Sequence, residues 1–336
     1  MNNILIIGDL HYKKNNKLIT DIIERDIINI IINDNPEFIV ILGDTFNDHN
    51  KLELDTFIRV SKFLDNIILT GKMIYLLIGN HDRKDNKVYM NDEHFFYEHK
   101  KNPLIKVIDK TCYFNIKDKK ICFVPYVPPE KLFDSFKDSN IEPSEMDLFF
   151  GHIDIHGSKT EKLAKQEWPE WPDNYKLMIS GHVHDKEIVK DNFIYVGTPY
   201  QSNFGECENK GVYLMNLDDY SLKLIKLTVP IKKKITLHYT ELERFIIDPN
   251  VELKINITGS KTAARELMKR NDMVLKYSGI KISYIGEEDK FDTLVLPQIS
   301  KNSNFYDHLI DSIMTNQALV EIFKEEFVDQ NGNLIL

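Results

Sequence analysis

The chain has 336 residues and a formal net charge of −9, with 42% hydrophobic and 28% charged residues. This composition is ordinary for a globular protein of one large domain or two. The negative charge excludes nucleic-acid binding by net charge alone, so any DNA contact needs bound cations, a local basic patch or a partner. No apolar run reaches the roughly 18 residues of a membrane span, and no signal-peptide pattern opens the sequence. We therefore expect a cytoplasmic protein, in the host cell if the source is viral.

The first hundred residues alternate between strand and helix patterns. Apolar residues recur at helical spacing over 18–32 and 54–69, and apolar runs of strand length flank these stretches. This alternation predicts a parallel sheet, in which sites form outside the carboxyl ends of the strands. Each run ends in glycine and then polar residues of metal-ligand type: Ile4–Ile7 precedes Asp9 and His11, Ile39–Leu42 precedes Asp44, and Met73–Ile78 precedes Asn80 and His81. The three turns should converge on one crevice.

The middle of the chain changes to shorter strand patterns. Residues 104–108, 112–116 and 120–124 predict strands of an antiparallel second sheet. Two later apolar runs repeat the earlier arrangement, since one ends in Gly-His152 and the other in Gly-His182-Val-His184. These ends add three imidazoles to the predicted crevice.

A domain boundary is predicted near Pro230, which precedes a run of three lysines. Residues 231–299 have the strand and helix patterns of a small α/β module, with a helical stretch over 261–273. On that helix Lys261, Arg265 and Lys269 form a basic stripe at i, i+4 and i+8, a spacing that places them on one face. A solvated surface and a DNA-phosphate contact are the two interpretations of this stripe.

The last segment, residues 300–336, has the pattern of an amphipathic helix behind a polar linker. Such a helix packs on its own domain or inserts its apolar face into the groove of a partner. The apolar residues expected to make this contact are Phe305, Leu309, Ile313, Leu319, Phe323 and Phe327.

The polar residues at the five strand ends are carboxylates, imidazoles and one amide. Without a thiolate this set suits Mn, Fe or Zn in a catalytic site rather than a structural zinc. The number of these ligands exceeds one coordination sphere, so two ions are expected. The Asp44 carboxylate is able to bridge two such ions, which would bind the oxygens of a phosphoryl centre. His81 follows a ligand directly, so we expect it to face the substrate as a general acid or charge stabiliser. The expected ligands are Asp9, His11, Asp44, Asn80, His152, His182 and His184.

These strand ends resemble, in order and over residues 1 to about 230, the five motifs of the calcineurin-like metallophosphoesterase superfamily. The resemblance implies an α/β (α+β sandwich) fold of four layers, with two mixed sheets flanked by helices, plus a small C-terminal α/β capping domain. It also implies two divalent ions, with Mn²⁺ expected and Mg²⁺, Fe²⁺ or Zn²⁺ as alternatives. One ion would be held by Asp9, His11, Asp44 and His184, and the other by Asp44, Asn80, His152 and His182.

A narrower resemblance covers residues 195–213, which are similar to nuclease subunits of double-strand-break repair complexes. These are of the SbcD and meiotic-recombination-eleven type, and the recombination nuclease subunit of T-even-like phages is the most similar. The resemblance implies a metal-dependent DNA exonuclease, with endonuclease action as a further expectation. Residues 1–230 would form the nuclease domain, 231–299 a DNA-binding cap, and 300–336 the segment that binds an SbcC-like ATPase of the structural-maintenance-of-chromosomes type. A homodimer is also implied.

Three points stay open from the sequence. A phosphomonoesterase or cyclic-nucleotide phosphodiesterase of the same superfamily is one alternative, and a non-catalytic scaffold with this fold is another. Relatives often carry an Asp or His three residues after the central Asp to assist the catalytic His, but this chain has Asn47 there, with Asp48 and His49 beside it. Which neighbour orients His81 is therefore undecided. Residues 45–50 also lack the Arg of the protein phosphatases.

Overall fold

The structure is a computed structural model, and it describes residues 2–49, 51–87, 89–161 and 168–285. The basic architecture is a pair of six-stranded mixed sheets. The first sheet has strands β1 (Asn3–Ile7), β2 (Phe38–Ile41), β3 (Met73–Leu77), β4 (Ile105–Ile108), β11 (Val212–Asn216) and β12 (Leu222–Ile225). Their order is β12-β11-β1-β2-β3-β4. Strands β1 to β4 are parallel to one another, and β11 pairs antiparallel with both β1 and β12.

The second sheet is also mixed. Its strands are β5 (Cys112–Ile116), β6 (Lys119–Val124), β7 (Leu148–Gly151), β8 (Met178–Ser180), β9 (Glu187–Lys190) and β10 (Phe193–Tyr195). They lie in the order β5-β6-β7-β8-β10-β9, with a parallel centre and one antiparallel pair at each edge.

Side chains that alternate along the central strands build the layers. Leu5 and Ile7 face one apolar cluster together with α1 (Lys17–Asp34) and α2 (Leu54–Leu69). Ile4 and Ile6 face the opposite cluster, which contains side chains of the second sheet. The far side of that sheet packs against α3 (Leu132–Asp138) and the fully buried Trp171. Because strand side chains alternate with a period of two, one strand supplies both clusters. The predicted arrangement of two mixed sheets flanked by helices is confirmed.

A three-stranded sheet and two short helices follow. The strands are β13 (Ile231–His238), β14 (Val251–Thr258) and β15 (Lys281–Tyr284), and the helices are α4 (Lys261–Met268) and α5 (Asn271–Lys276). The chain divides into two compact units: the larger comprises Met1–Leu237, Arg244–Asn256 and Tyr277–Ser283, and the smaller includes His238–Glu243 and Ile257–Lys276. The domain boundaries at residues 230 and 300 stay predictions.

Two local predictions were wrong. The strand expected near 104–108 is β4, which belongs to the first sheet and not to the second. It pairs in parallel with β3, so the chain between the two strands returns to the end of the sheet at which β3 begins. The helix expected over 261–273 is two helices, because the Arg270 N–H bonds the Leu267 carbonyl three residues back, over 3.2 Å, and a new helix begins at Asn271. Asn and Asp favour such starts, since their side chains compete with helical backbone bonds.

None of the helices in the described part of the chain is long and apolar enough to cross a bilayer.

Candidate metal centre

The residues at the five strand ends lie together. They form three groups in which the nitrogen and oxygen atoms able to bind a metal lie within 4.8 Å of one another. The groups are Asp9 with His11 and His184, His11 with Asp44 and His81, and Asp44 with His152 and His182. Since parallel strands end at the same edge of a sheet, short polar turns after β1, β2, β3, β7 and β8 bring these side chains into one crevice.

The turns approach each other closely. A Cβ atom on Gly79 would lie 2.2 Å from Asp44 Oδ1, so only glycine allows the turn after β3 to pass beside that carboxylate. Gly43 has a φ of 102°, a conformation that side chains disfavour. His11 and Asp44 themselves adopt φ values of 46°, in the left-handed region. Such positions cost about 1–3 kcal/mol each and persist where the surroundings require them, often at functional sites.

The first group surrounds Asp9, which is fully buried. The backbone N–H of His182 donates to Asp9 Oδ2 over 2.9 Å, which fixes this carboxylate against the turn after β8. His11 Nε2 lies 3.0 Å from His184 Nε2. At that distance at most one of the two nitrogens carries a hydrogen between them, so a ring lone pair faces into the group.

The third group, Asp44 with His152 and His182, also contacts the amide of Asn80. Asn80 Oδ1 lies 2.9 Å from His152 Nε2 and 3.0 Å from His182 Nδ1. The other ring nitrogen of His152 donates to the Leu42 carbonyl over 2.8 Å. Because a carbonyl only accepts, this bond places the hydrogen on Nδ1 and leaves the Nε2 lone pair facing the crevice in the neutral ring.

Asp44 lies between the first and third groups. Its Oδ1 lies 3.3 Å from His152 Nε2, and its Oδ2 lies 4.0 Å from His11 Nε2. The backbone N–H of His81 donates to Oδ1 over 2.8 Å. The two oxygens thus face different histidines, which is the arrangement that a bridging carboxylate requires.

The electrostatics of the crevice favour a positive charge beside Asp44. Burial alone would raise the pKa of Asp44, but His152, His11 and His81 hold it well below its usual range. Burial alone would lower the pKa of His152, but the Asp44 and Asp9 carboxylates outweigh it and raise the pKa to about 10. Burial lowers the pKa of His11 to about 3, which keeps that ring neutral and its lone pair available. A divalent cation supplies the charge that His152 otherwise takes up as a proton, so the donor set fits such an ion.

The structure identifies what orients His81. Its Nδ1 donates to the backbone carbonyl of Asn47 over 2.6 Å, and its ring stacks on His49 with centroids 3.9 Å apart. His49 is fixed in turn by a 2.8 Å contact between its Nδ1 and the Asn80 carbonyl. Neither the Asn47 nor the Asp48 side chain orients the ring. The His81 side chain is 28% exposed and its Nε2 lies 3.9 Å from Asp44 Oδ2, so this nitrogen faces the crevice.

Three further buried carboxylates at this site were not predicted from the sequence. Asp82 accepts hydrogen bonds from the backbone N–H groups of Phe46 and Gly79, at 2.9 and 3.0 Å, and so ties the turns after β2 and β3 together. Asp154 and Glu206 lie against His182 and His184. All three stood within or beside the motif segments, but their contacts depend on turns that only the fold brings together.

The predicted DNA-contact residues belong to the smaller unit. Lys261 and Arg265 lie on α4, which Ser260 caps by accepting the Ala263 N–H over 3.2 Å, and Lys269 is its C-cap. Lys269 pairs with Glu266 at 2.7 Å, which offsets part of the charge of the stripe. The role of this basic stripe in binding DNA stays a prediction. The predicted partner-contact residues from Phe305 onward lie outside the described residues.

Comparison with known proteins decides the family. The model of the calcineurin-like phosphoesterase family matches residues 3–186. This chain belongs to the calcineurin-like phosphoesterase family. As a member it is a phosphoesterase, and the family uses divalent metal ions, which agrees with the donor set of the crevice.

Similar viral proteins support this membership. The protein 078R of Invertebrate iridescent virus 3, which carries the name of a phosphoesterase, is 29% identical over 239 residues, 68% of either chain. The similarly named 244L of Invertebrate iridescent virus 6 is 29% identical over 283 residues, 81% of this chain and 98% of its own. A glutamine-dependent NAD⁺ synthetase structure from Acinetobacter baumannii aligns with 98% of this chain and 69% of its own, at 11% identity. The TM-score of this alignment is 0.32.

Replacing the shared carboxylate tests the centre. Asp44→Ala should lower metal occupancy well below that of the parent and abolish phosphoester cleavage, because it removes the group that faces both sets of ligands. Occupancy is measured by elemental analysis after equilibration with Mn²⁺ and desalting. Asp191→Ala, at an exposed hairpin turn, is the matched control. Parental metal content and activity in Asp44→Ala would show that Asp44 does not bridge.

His81→Ser separates a substrate-facing group from a ligand. We expect metal content to be kept while cleavage slows by about two to four orders of magnitude, the usual scale for a lost acid or charge-stabilising group. Asp48→Ala should cleave at nearly the parental rate, since the Asn47 carbonyl orients His81. If His81→Ser loses metal in proportion to activity, His81 is a ligand and the expected role is wrong.

Proposed function

We propose that this phosphoesterase is a DNA phosphodiesterase that uses two divalent ions, with Mn²⁺ expected, and acts as an exonuclease, with endonuclease action as a second expectation. Asp9, His11, Asp44 and His184 would hold one ion, and Asp44, Asn80, His152 and His182 the other. When bound, two such ions activate a water and stabilise the charge on the phosphoryl oxygens. The remaining chemistry belongs to side chains of the crevice.

His81 would act on the leaving group. Its Nδ1–H is engaged by the Asn47 carbonyl, so Nε2 is the nitrogen that can exchange a proton with a substrate. Burial lowers the pKa of His81, which favours the neutral ring in the free protein. An anionic phosphodiester placed beside it favours the charged ring, because an opposite charge within a few ångströms raises the pKa of an imidazole. The imidazolium would then donate its Nε2 proton to the departing oxygen.

The observation that favours DNA as the substrate is the loop over residues 201–206. The Lys232 and Lys281 ammonium groups each lie 5.7 Å from the centre of the Phe204 ring, on the larger unit. Two residues further on, Glu206 Oε1 lies 3.3 Å from His184 Nδ1. An aromatic ring among cations, next to the metal crevice, suits a chain of bases and phosphates better than a small phosphomonoester. The resemblance of residues 195–213 to repair nucleases supports the same substrate.

Substrate comparison tests this proposal. With Mn²⁺, the protein should cleave linear double-stranded and single-stranded DNA and the small diester bis-p-nitrophenyl phosphate, and act weakly on p-nitrophenyl phosphate and on a cyclic nucleotide. Preference for either of the last two would favour the alternative enzymes, and no activity on any of them would favour a scaffold.

A variant of the loop locates the DNA contact. Phe204→Ala should weaken DNA binding by about 1–3 kcal/mol, the range for a lost base–aromatic stack, and leave small-diester hydrolysis near the parental rate. Binding is measured by fluorescence anisotropy with labelled oligonucleotide, and metal content is measured in parallel. Tyr97→Ala is the matched control, because this exposed ring also has a lysine ammonium over it, at 5.3 Å. Equal losses for DNA and small diester would indicate that Phe204 supports only the metal centre.

The partner proposal concerns residues 300–336. We propose that this segment binds an SbcC-like ATPase of the structural-maintenance-of-chromosomes type, and that the nuclease acts as a homodimer. Truncation after Ser300 should leave a folded, metal-binding nuclease that no longer copurifies with the ATPase. The double variant Leu309→Asp with Phe323→Asp should behave in the same way, whereas Asp307→Asn should not. Undiminished copurification, or loss of folding on truncation, would place the segment in the core instead.

A further inference from the structure

Two buried carboxylates lie behind the two histidines of the turn after β8. Asp154 Oδ1 is 2.7 Å from His182 Nε2, and Glu206 Oε1 is 3.3 Å from His184 Nδ1. Asp154 is 5% exposed, and the Glu206 side chain is 7% exposed. Each histidine is therefore in contact with the metal crevice through one ring nitrogen and with a buried carboxylate through the other.

The rings of His182 and His184 are held in opposite orientations. His182 faces Asn80 with Nδ1, 3.0 Å away, and presents Nε2 to its carboxylate. His184 faces His11 with Nε2, also 3.0 Å away, and presents Nδ1 to its carboxylate. An ionised carboxylate only accepts, so a neutral ring whose inner nitrogen binds a cation carries its hydrogen on the outer nitrogen, which faces the carboxylate. Opposite tautomers follow for residues only two apart.

Glu206 is firmly held. It accepts hydrogen bonds from the Ser202 N–H at 2.9 Å and from Asn203 Nδ2 at 2.8 Å, and it pairs with Lys210 Nζ at 3.1 Å. The Lys210 side chain is 5% exposed and also donates to Thr198 Oγ1 over 3.1 Å. Burial alone would raise the pKa of Glu206, but the bonds from His184 and Ser202 and the charge of Lys210 lower it to about 2. These contacts fix the Glu206 carboxylate beside His184.

Gln201 connects the backbone of Glu206 to Lys232 on β13. Its side-chain amide donates to the Glu206 carbonyl over 3.0 Å and accepts from the Lys232 N–H over 2.7 Å. The loop that supplies Glu206 is thus anchored at both its backbone and its carboxylate, which limits how far His184 can rotate.

Asp154 supports its histidine differently. Its buried Oδ1 lies 2.7 Å from His182 Nε2, at an angle outside the usual range for a hydrogen bond, so the contact is chiefly electrostatic. A buried carboxylate without compensation is costly, and a positively polarised imidazole offers that compensation. The ring is most strongly polarised when its inner nitrogen binds a cation, which makes the contact more favourable with metal present.

We propose that Asp154 and Glu206 are positioning residues, each of which fixes one histidine and thereby sets the affinity of one of the two ions. Asp154 acts through His182 on the ion shared with Asn80 and His152, and Glu206 acts through His184 on the ion shared with Asp9 and His11. This inference rests on the proposed two-ion centre but not on DNA being the substrate. Outer carboxylates of this kind typically change metal affinity by about 10- to 100-fold when removed.

The test is a Mn²⁺ titration of the full chain, with free Mn²⁺ followed by electron paramagnetic resonance. The parent should bind two ions. Asp154→Asn and Glu206→Gln should each weaken one ion by about 10- to 100-fold and keep the other within about threefold of the parent, and the double variant should lose both. Asp173→Asn and Glu208→Gln, which replace carboxylates with side chains 87% and 54% exposed, are the matched controls.

A second readout needs no substitution. In the parent loaded with Zn²⁺, the ring nitrogens of ¹⁵N-labelled histidine should show opposite tautomers for His182 and His184. Identical tautomers, or two ions bound with parental affinity by both variants, would overturn this inference and leave the two-ion centre intact. A parent that binds no ion or one ion would overturn the centre and the inference together.

Discussion

The structure depends on burying the Asp44 carboxylate among imidazoles. An ionised carboxylate inside a protein is costly unless charge and hydrogen bonds compensate it. Here the compensation comes from His152, His11 and the His81 N–H, each supplied by a different strand end. Those turns approach so closely that Gly79 has no room for a Cβ beside Asp44. The backbone strain at His11 and Asp44 is a further consequence, because both residues hold left-handed conformations to aim their side chains inward.

The fold supplies the rigidity that this arrangement needs. Central strands such as β1 have apolar side chains on both faces, so each strand is fixed between a helix layer and the second sheet. The polar turns at their carboxyl ends therefore start from well-defined positions. The outer shell extends the same logic, since Asp82 ties two turns together and Lys210 with Gln201 secures the loop of Glu206.

Much of this was predictable from the sequence, because it is local. Apolar runs that end in Gly and a ligand-type residue predicted the parallel strands, the crevice and the set from Asp9 to His184 that the fold brings together. The direction of β4 was not predictable in this way, since its residues fit either sheet and the crossover decides. The orientation of His81 by the Asn47 carbonyl was also hidden, because every residue has a carbonyl and only the fold selects one. Asp154 and Glu206 stand in or near the motif segments of the sequence, but their contacts with His182 and His184 depend on turns that only the fold brings together.

The proposed two-ion centre requires that the Asp44 carboxylate lie between two metal ions. Anomalous diffraction from crystals equilibrated with Mn²⁺ tests it most directly. We expect two Mn²⁺ peaks about 3.5–4 Å apart, one beside His184 and His11 and the other beside His152 and His182, with an Asp44 oxygen bound to each. A single peak, or two peaks without Asp44 between them, would contradict it.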